Sequence, residues 1–376
     1  MPLKLFIVRK GVDPRLAELK IGGFSLEGHL SLNAAASFTV VLLEESSQST
    51  EAGLYVRADV WFSSVALRRL AGRIADNEVR PNSIVETSTR EVIAAYVDDP
   101  RELFAEFGAA PTVKAFGQGW VRLPKLSTFD AVELDREFPP TRIANFLDVA
   151  RLEKRISYER ACSALMLGVR IRDPDRISIR GELICGVGVE IDLDVIVEGR
   201  VMLDDGVRVG AGCILIDSTI GRDSTINPHS VIDHADIGGN SVIGPFGRVR
   251  PGSKIGDGVQ IGNFVEIKAS HIGAGSRINH LAFIGDAKLG AKVTIGAGVI
   301  TCNHSPHGVR ATAIGSGAYV GSGTELVAPL SVGENATIGA GSTITEDVPA
   351  GKLTVARSRQ VTIENWPRRD AGDRQD

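Results

Sequence analysis

From about residue 177 an aliphatic side chain recurs at every sixth position, with an occasional step of five. The series runs through Leu203, Val209, Leu215, Ile220, Ile226, Ile232, Ile237, Ile243, Val249, Ile255, Ile261 and Ile267. It continues at Ile272, Ile278, Ile284, Leu289 and Ile295, then resumes after a gap at Ile314, Val320, Leu326, Val332, Ile338 and Ile344. An amphipathic helix needs apolar steps of three and four, and a meander needs strict alternation. A six-residue beat meets neither condition. Three hexapeptides instead close one triangular coil, each side a short flat strand whose inward aliphatic residue stacks on its equivalent in the next coil. Glycine often follows the aliphatic anchor, where a corner needs positive φ or close backbone approach. The beat therefore predicts a parallel β-helix over residues 177–367.

The beat fails once. Between Thr301 and Ala313 the segment Cys302, Asn303, His304, Ser305, Pro306, His307, Gly308, Val309, Arg310, Ala311, Thr312 has no hexad phase. It is expected to leave the prism as a projecting loop. Insertions in solenoids are either neutral surface loops or binding elements. Two histidines, an asparagine and an arginine within eight residues favour binding.

Residues 1–140 obey a different pattern. Lys4–Val8, Phe38–Glu44 and Gly53–Phe62 read as strands, while Val65–Asn77 and Pro100–Phe107 have helical periodicity. That alternation suggests a small α/β layer domain. Pro139 and Pro140 open a linker over 141–176 in which Thr141–Leu167 reads as an amphipathic helix. Ile143, Leu147, Ala150, Leu152 and Ile156 are expected near its apolar face. Residues 368–376 read as a disordered tail.

Charge and composition exclude little. A net charge of −4 gives no reason to expect nucleic acid or an anionic membrane surface as partner. No run of 18 apolar residues and no cleavable leader stands out, so a cytoplasmic protein is expected. Cys162, Cys185, Cys213 and Cys302 lack CxxC spacing and read as buried free thiols.

Several longer motifs then stand out. Val187–Gly199, Ile243–Gly252, Gly262–Lys268, His280–Ala287, Ile295–Asn303 and Val320–Pro329 resemble the acetyltransferase domain of a known bacterial family. It is that of bifunctional N-acetylglucosamine-1-phosphate uridylyltransferase/glucosamine-1-phosphate acetyltransferase. Ala150–Glu153, leading to Arg172–Pro174, resembles that family's linker, so the likeness covers about 140 to 367. The resemblance implies a left-handed β-helix, a homotrimer with active sites between neighbouring subunits, acetyl-CoA as co-substrate, and a small-molecule amino-sugar acceptor in cell-envelope biosynthesis.

Matched residue by residue, the resemblance implies that His280 is the general base, a role suited to a group titrating near neutrality. It implies that Arg250 and Lys268 bind the acceptor's phosphate, a bidentate fork beside a point charge. Asn303 matches a catalytic position near the acceptor and the acetyl group. Ser322 and Ala340 match the CoA wall, and Arg357 a cation near the CoA phosphates.

The chain departs from the family at three acceptor positions. Phe283 stands for a tyrosine, Thr294 for an asparagine, and His304 for a tyrosine. A hydrogen bond to a charged group is worth about 1.5–3 kcal/mol. Losing two would weaken glucosamine 1-phosphate binding by roughly two to four orders of magnitude. A related amino sugar, phosphate- or nucleotide-linked, is the expected acceptor. The first thirty residues hold Gly11, Gly22, Gly23 and Gly28 but no Gly-x-Gly loop with a basic residue to cradle nucleotide phosphates. Residues 1–140 therefore read as a shortened, degenerate nucleotidyltransferase-like domain without uridylyltransferase activity.

Two rivals stand beside this reading. His229 and His234 have the HxxxxH spacing of β-helix zinc enzymes, but a third histidine two coils upstream is missing. A trimeric scaffold that has lost turnover is the other. His304 and His307 could also supply a second base on the projecting loop, or be exposed loop residues.

Overall fold

The computed structural model describes residues 3–8, 20, 25–43, 53–58, 60–76, 83–86, 92–97, 128–130, 140–306 and 308–364. The Pro100–Phe107 helix, His307 and the 368–376 tail lie outside them. The chain forms two units, Met1–Ser163 with Ile177–Glu182, and Ala164–Arg176 with Leu183–Asp376.

The first unit is built on β1 (Lys4–Val8), α1 (Leu26–Ala34), β2 (Thr39–Leu43), β3 (Gly53–Arg57), β4 (Val60–Trp61), α2 (Ser64–Ala75), β5 (Ser83–Glu86), β6 (Val92–Val97), β7 (Thr128–Asp130), β8 (Thr141–Arg142) and α3 (Phe146–Met166). Six strands form one sheet in the order β2-β1-β3-β6-β5-β7, with β1 parallel to both neighbours and β6 antiparallel to both of its own. Serine side chains start both of the first two helices: Gly28 N–H donates to Ser25 Oγ, and Ala66 N–H to Ser63 Oγ. Each satisfies a backbone donor that the first helical turn leaves free. Leu67 and Leu70 of α2 pack with Leu5, Ile7, Leu54 and Val56 of the sheet.

Two local expectations are corrected. Gly53–Phe62 is two strands, because the chain turns at Ala58 and Val60–Trp61 pairs antiparallel with Thr141–Arg142. That pairing also takes Thr141 and Arg142 out of the helix, which begins at Phe146 where Asn145 Oδ1 accepts from two backbone amides. Its apolar face is Val149, Leu152 and Ile156, packed with Trp61, whereas Leu147 and Ala150 are exposed. At 3.6 residues per turn, Leu147 and Ala150 lie round the helix from Val149, Leu152 and Ile156.

The second unit is the parallel β-helix, and every aliphatic anchor named above is buried. Most strand partners lie 17 or 18 positions apart, as in Val231↔Arg248 and Val242↔Gln260, and 25 apart across the gap in the beat, as in Thr294↔Tyr319. One side of the prism stacks Arg248–Val249, Glu266–Lys268, Phe283–Gly285 and Ile300–Cys302. The second stacks Asp236–Ile237, Lys254–Ile255, His271–Ile272 and Ala287–Leu289. The third carries Gln260–Asn263, Arg277–His280 and Thr294–Ile295.

Small buried residues two positions before an anchor tie the coils together. Ser224 Oγ donates to the Gly238 carbonyl and accepts from the Ser241 amide, and Ser270 and Ser276 make equivalent links. A buried hydroxyl used in this way satisfies backbone groups at corners where the ladder has none to offer. Of the four thiols, Cys213 is buried and the other three are half-buried. Among the described residues no helix is long and apolar enough to cross a membrane.

Candidate active site

The gap in the beat is a hairpin. His304–Ser305 pairs antiparallel with Gly308–Val309, and Arg310 N–H donates to the Asn303 carbonyl to close its base. Cys302 and Thr312 belong to coil strands, so the projecting segment is shorter than the sequence suggested. Thr301 takes an anchor's inward place. Its hydroxyl accepts from the Gly285 amide at 2.7 Å and reaches the Gly285 carbonyl at 3.1 Å, which makes a polar group tolerable there.

Four of the expected site residues share the first side of the prism. Arg250 forms an ion pair with Glu266 at 2.8 Å, and one coil above it Lys268 pairs with Asp286 at 3.1 Å. The same Asp286 oxygen accepts from the buried Asn303 carboxamide. Phe283 and Asn303 converge over Gly285: a Cβ there would lie 2.6 Å from the Phe283 ring and 2.8 Å from Asn303 Nδ2, so only glycine leaves room for both.

His280 stands at the corner where the third side turns into the first. Its Nδ1 is 2.7 Å from Asn263 Oδ1 on the coil below. Backbone bonds from Gly298 to His280, Gly323 to Ala297 and Gly341 to Ser322 stack successive coils at this corner. Asn263, His280, Ala297, Ser322 and Ala340 thus occupy one column, with Arg357 packed beside Gly341 at its upper end. At one strand spacing per coil, His280 and Ala340 are about 14–15 Å apart along that edge. Beside the column, Phe246 and Phe264 stack at 5.3 Å and Leu281 is exposed, all three at φ between 51° and 56°. A left-handed backbone costs a bulky residue roughly 1–2 kcal/mol. The corner sets that conformation, and the result is an apolar edge rimming the groove that His280 faces.

Other expected residues are not brought together. Thr294 lies on the third side, paired with Arg277 and Tyr319, and leaves the prism in a different direction from Phe283. His304 is exposed on the hairpin. His229 and His234 sit at different corners: His229 stacks on Phe246, while His234 is held between Asp233 and Asp217. Cys302 borders the site, but burial, and secondly the charge of Glu325, push its thiol up and away from nucleophilic thiolate. Sequence reasoning missed Asn263, Glu266 and Asp286 as partners. Each lies 16–18 residues from the side chain it holds, a spacing that becomes informative once the coil length is known.

No protein-family model matches the chain. It is 51% identical over 219 residues to the bifunctional protein GlmU of Bordetella petrii, covering 58% of this chain and 48% of the relative. Over the stretch these alignments cover, the chain is similar to GlmU proteins. The GlmU of Thiobacillus denitrificans aligns further, at 42% identity over 298 residues, 77% of this chain and 65% of the relative. The chain spans about half the length of the curated GlmU relatives it matches. Among solved structures, a Francisella novicida UDP-N-acetylglucosamine acyltransferase is similar at 20% identity, with a TM-score of 0.31, covering 46% of this chain and 65% of that one.

Proposed function

We propose that the β-helix transfers an acetyl group from acetyl-CoA to the amine of a phosphate-bearing amino sugar. One observation carries the reading. The imidazole of His280 shares a single corner column with Ser322, Ala340 and Arg357, and that corner opens onto the side that presents Arg250, Lys268 and Asn303. An extended acyl carrier laid along the column would bring its thioester to the imidazole, with its phosphates toward Arg357. An acceptor held by Arg250 and Lys268 would present its amine from the adjoining side. His280 takes the proton as the amine attacks the thioester carbonyl, and returns it to the departing thiolate. Similarity to the GlmU relatives supports this reading.

A homotrimer with sites between subunits fits the placement of Thr294, which points away from Phe283 within one chain. The lack of a Gly-x-Gly loop in the first thirty residues supports a chain without uridylyltransferase activity. The protein is read as cytoplasmic.

The test is thiol release from acetyl-CoA against glucosamine 1-phosphate, other amino-sugar phosphates and nucleotide-linked amino sugars, with His280→Ala alongside. Turnover on one acceptor, lost in the variant, supports the transferase. CoA binding with no turnover on any acceptor favours the scaffold that has lost activity.

A further inference from the structure

Just round the corner from Lys268, the second side of the prism carries an outward column of three basic side chains. Lys254 pairs in register with His271, and His271 with Lys288, on successive coils. All three are exposed. The column is bounded below by Asp236, next to Lys254, and above by Ala313, next to Lys288. It is therefore three coils tall, about 9–10 Å from first to last. An open groove joins it to the site already described, running from Lys254, His271 and Lys288 over Gly252 and Ala269 to Asp286. The corner side chains are small, and the hairpin contributes Ala311 to the rim.

Charge separates this column from its neighbour. Arg250 and Lys268 are each matched by a carboxylate, Glu266 and Asp286. Among the described residues no carboxylate forms an ion pair with Lys254, His271 or Lys288. Three successive coils of the second side thus carry positive charge with no ion-pair partner, which favours an anion there. Asp286, the one acid in the groove, is already bonded to Lys268 and Asn303.

We propose that Lys254, His271 and Lys288 form a second phosphate subsite, which takes the distal phosphate of an acceptor carrying a diphosphate while Arg250 and Lys268 hold the proximal one. The inference rests on the acceptor assignment under Proposed function and narrows it to diphosphate-linked amino sugars. The bounded height of the column suits one or two phosphates and not an extended polyanion.

Titration calorimetry with inorganic pyrophosphate and orthophosphate, at fixed ionic strength, tests the subsite without any turnover. Its result is therefore separable from failure of the transferase reading. The native protein is expected to bind pyrophosphate at least tenfold more tightly than orthophosphate. Lys254→Ala/Lys288→Ala should lose that preference, keep its orthophosphate and acetyl-CoA affinities, and melt at the native temperature because both positions are exposed. Unchanged pyrophosphate affinity in the double variant overturns the proposal. So does a loss of acetyl-CoA affinity, which would give the column to the acyl carrier.

Discussion

His280 Nδ1 lies 2.7 Å from Oδ1 of Asn263, its neighbour on the coil below. A carboxamide oxygen has no proton to give, so Nδ1 donates and Nε2 keeps the lone pair that a general base needs. Asn263→Ala is expected to lower kcat by about a hundredfold with little change in acceptor KM, since a misplaced reacting group costs on that order. Asn263→Asp should move the acid limb of the kcat/KM profile to higher pH, because a carboxylate favours the imidazolium. Steady-state kinetics across pH check both; unaltered profiles in both variants would remove Asn263 from the site.

Asp286 holds Lys268 and Asn303 through one oxygen, from a backbone at φ 51°. Asparagine tolerates that conformation, so Asp286→Asn removes the charge and spares the corner. Lys268 is then released toward the acceptor's phosphate, and acceptor KM should fall several-fold. Asn303 keeps only a neutral amide oxygen as acceptor, and kcat should fall by no more than about tenfold. The ion pair is partly exposed, so stability should change by no more than about 1 kcal/mol, read by thermal melting.

Phe283 offers no hydrogen bond where its ring meets Asn303 over Gly285. If glucosamine 1-phosphate is a poor acceptor for lack of the phenol, Phe283→Tyr should raise kcat/KM for it by up to about tenfold, the worth of one net hydrogen bond. The native acceptor should gain nothing. A gain shared by every acceptor in the panel would contradict this account of specificity.

The imidazole of His234 is raised chiefly by its hydrogen bond to Asp233, with slight burial opposing and the charges of Asp217 and Asp233 adding. A raised folded-state value means stabilisation that is complete below about pH 6.5, the unfolded value, and lost as pH rises through the folded one. His234→Asn, tolerable at φ 44°, should therefore melt below the native protein at pH 6 and alongside it at pH 9. The side chains are exposed, so the gap should shrink in roughly 1 M salt.

The β-helix was readable because its burial pattern is local: each anchor announces its own coil side, and Ile226 or Ile284 needs no distant partner to be placed. Phe246 and Phe264 were not readable as an exposed edge, since corner geometry, not hydrophobicity, decides where they point. The helix at Phe146–Met166 was legible as a helix, but its start was not, since Thr141 and Arg142 are taken by a strand pairing with Val60 and Trp61. Of the candidate site, His280, Arg250, Lys268 and Asn303 were named through resemblance. Their partners depend on coil length and were visible only in three dimensions.

The hairpin at Asn303–Ala311 interrupts the chain without interrupting the stack. Thr294 still pairs with Tyr319, and Ile300 with Glu325. The solenoid counts rungs and is indifferent to how many residues are spent between two of them. Closing a longer loop costs only about 0.6 kcal/mol per doubling of its length. The hairpin is thus a replaceable cartridge: its length and chemistry can drift while the frame carrying His280 and Asn263 stands still.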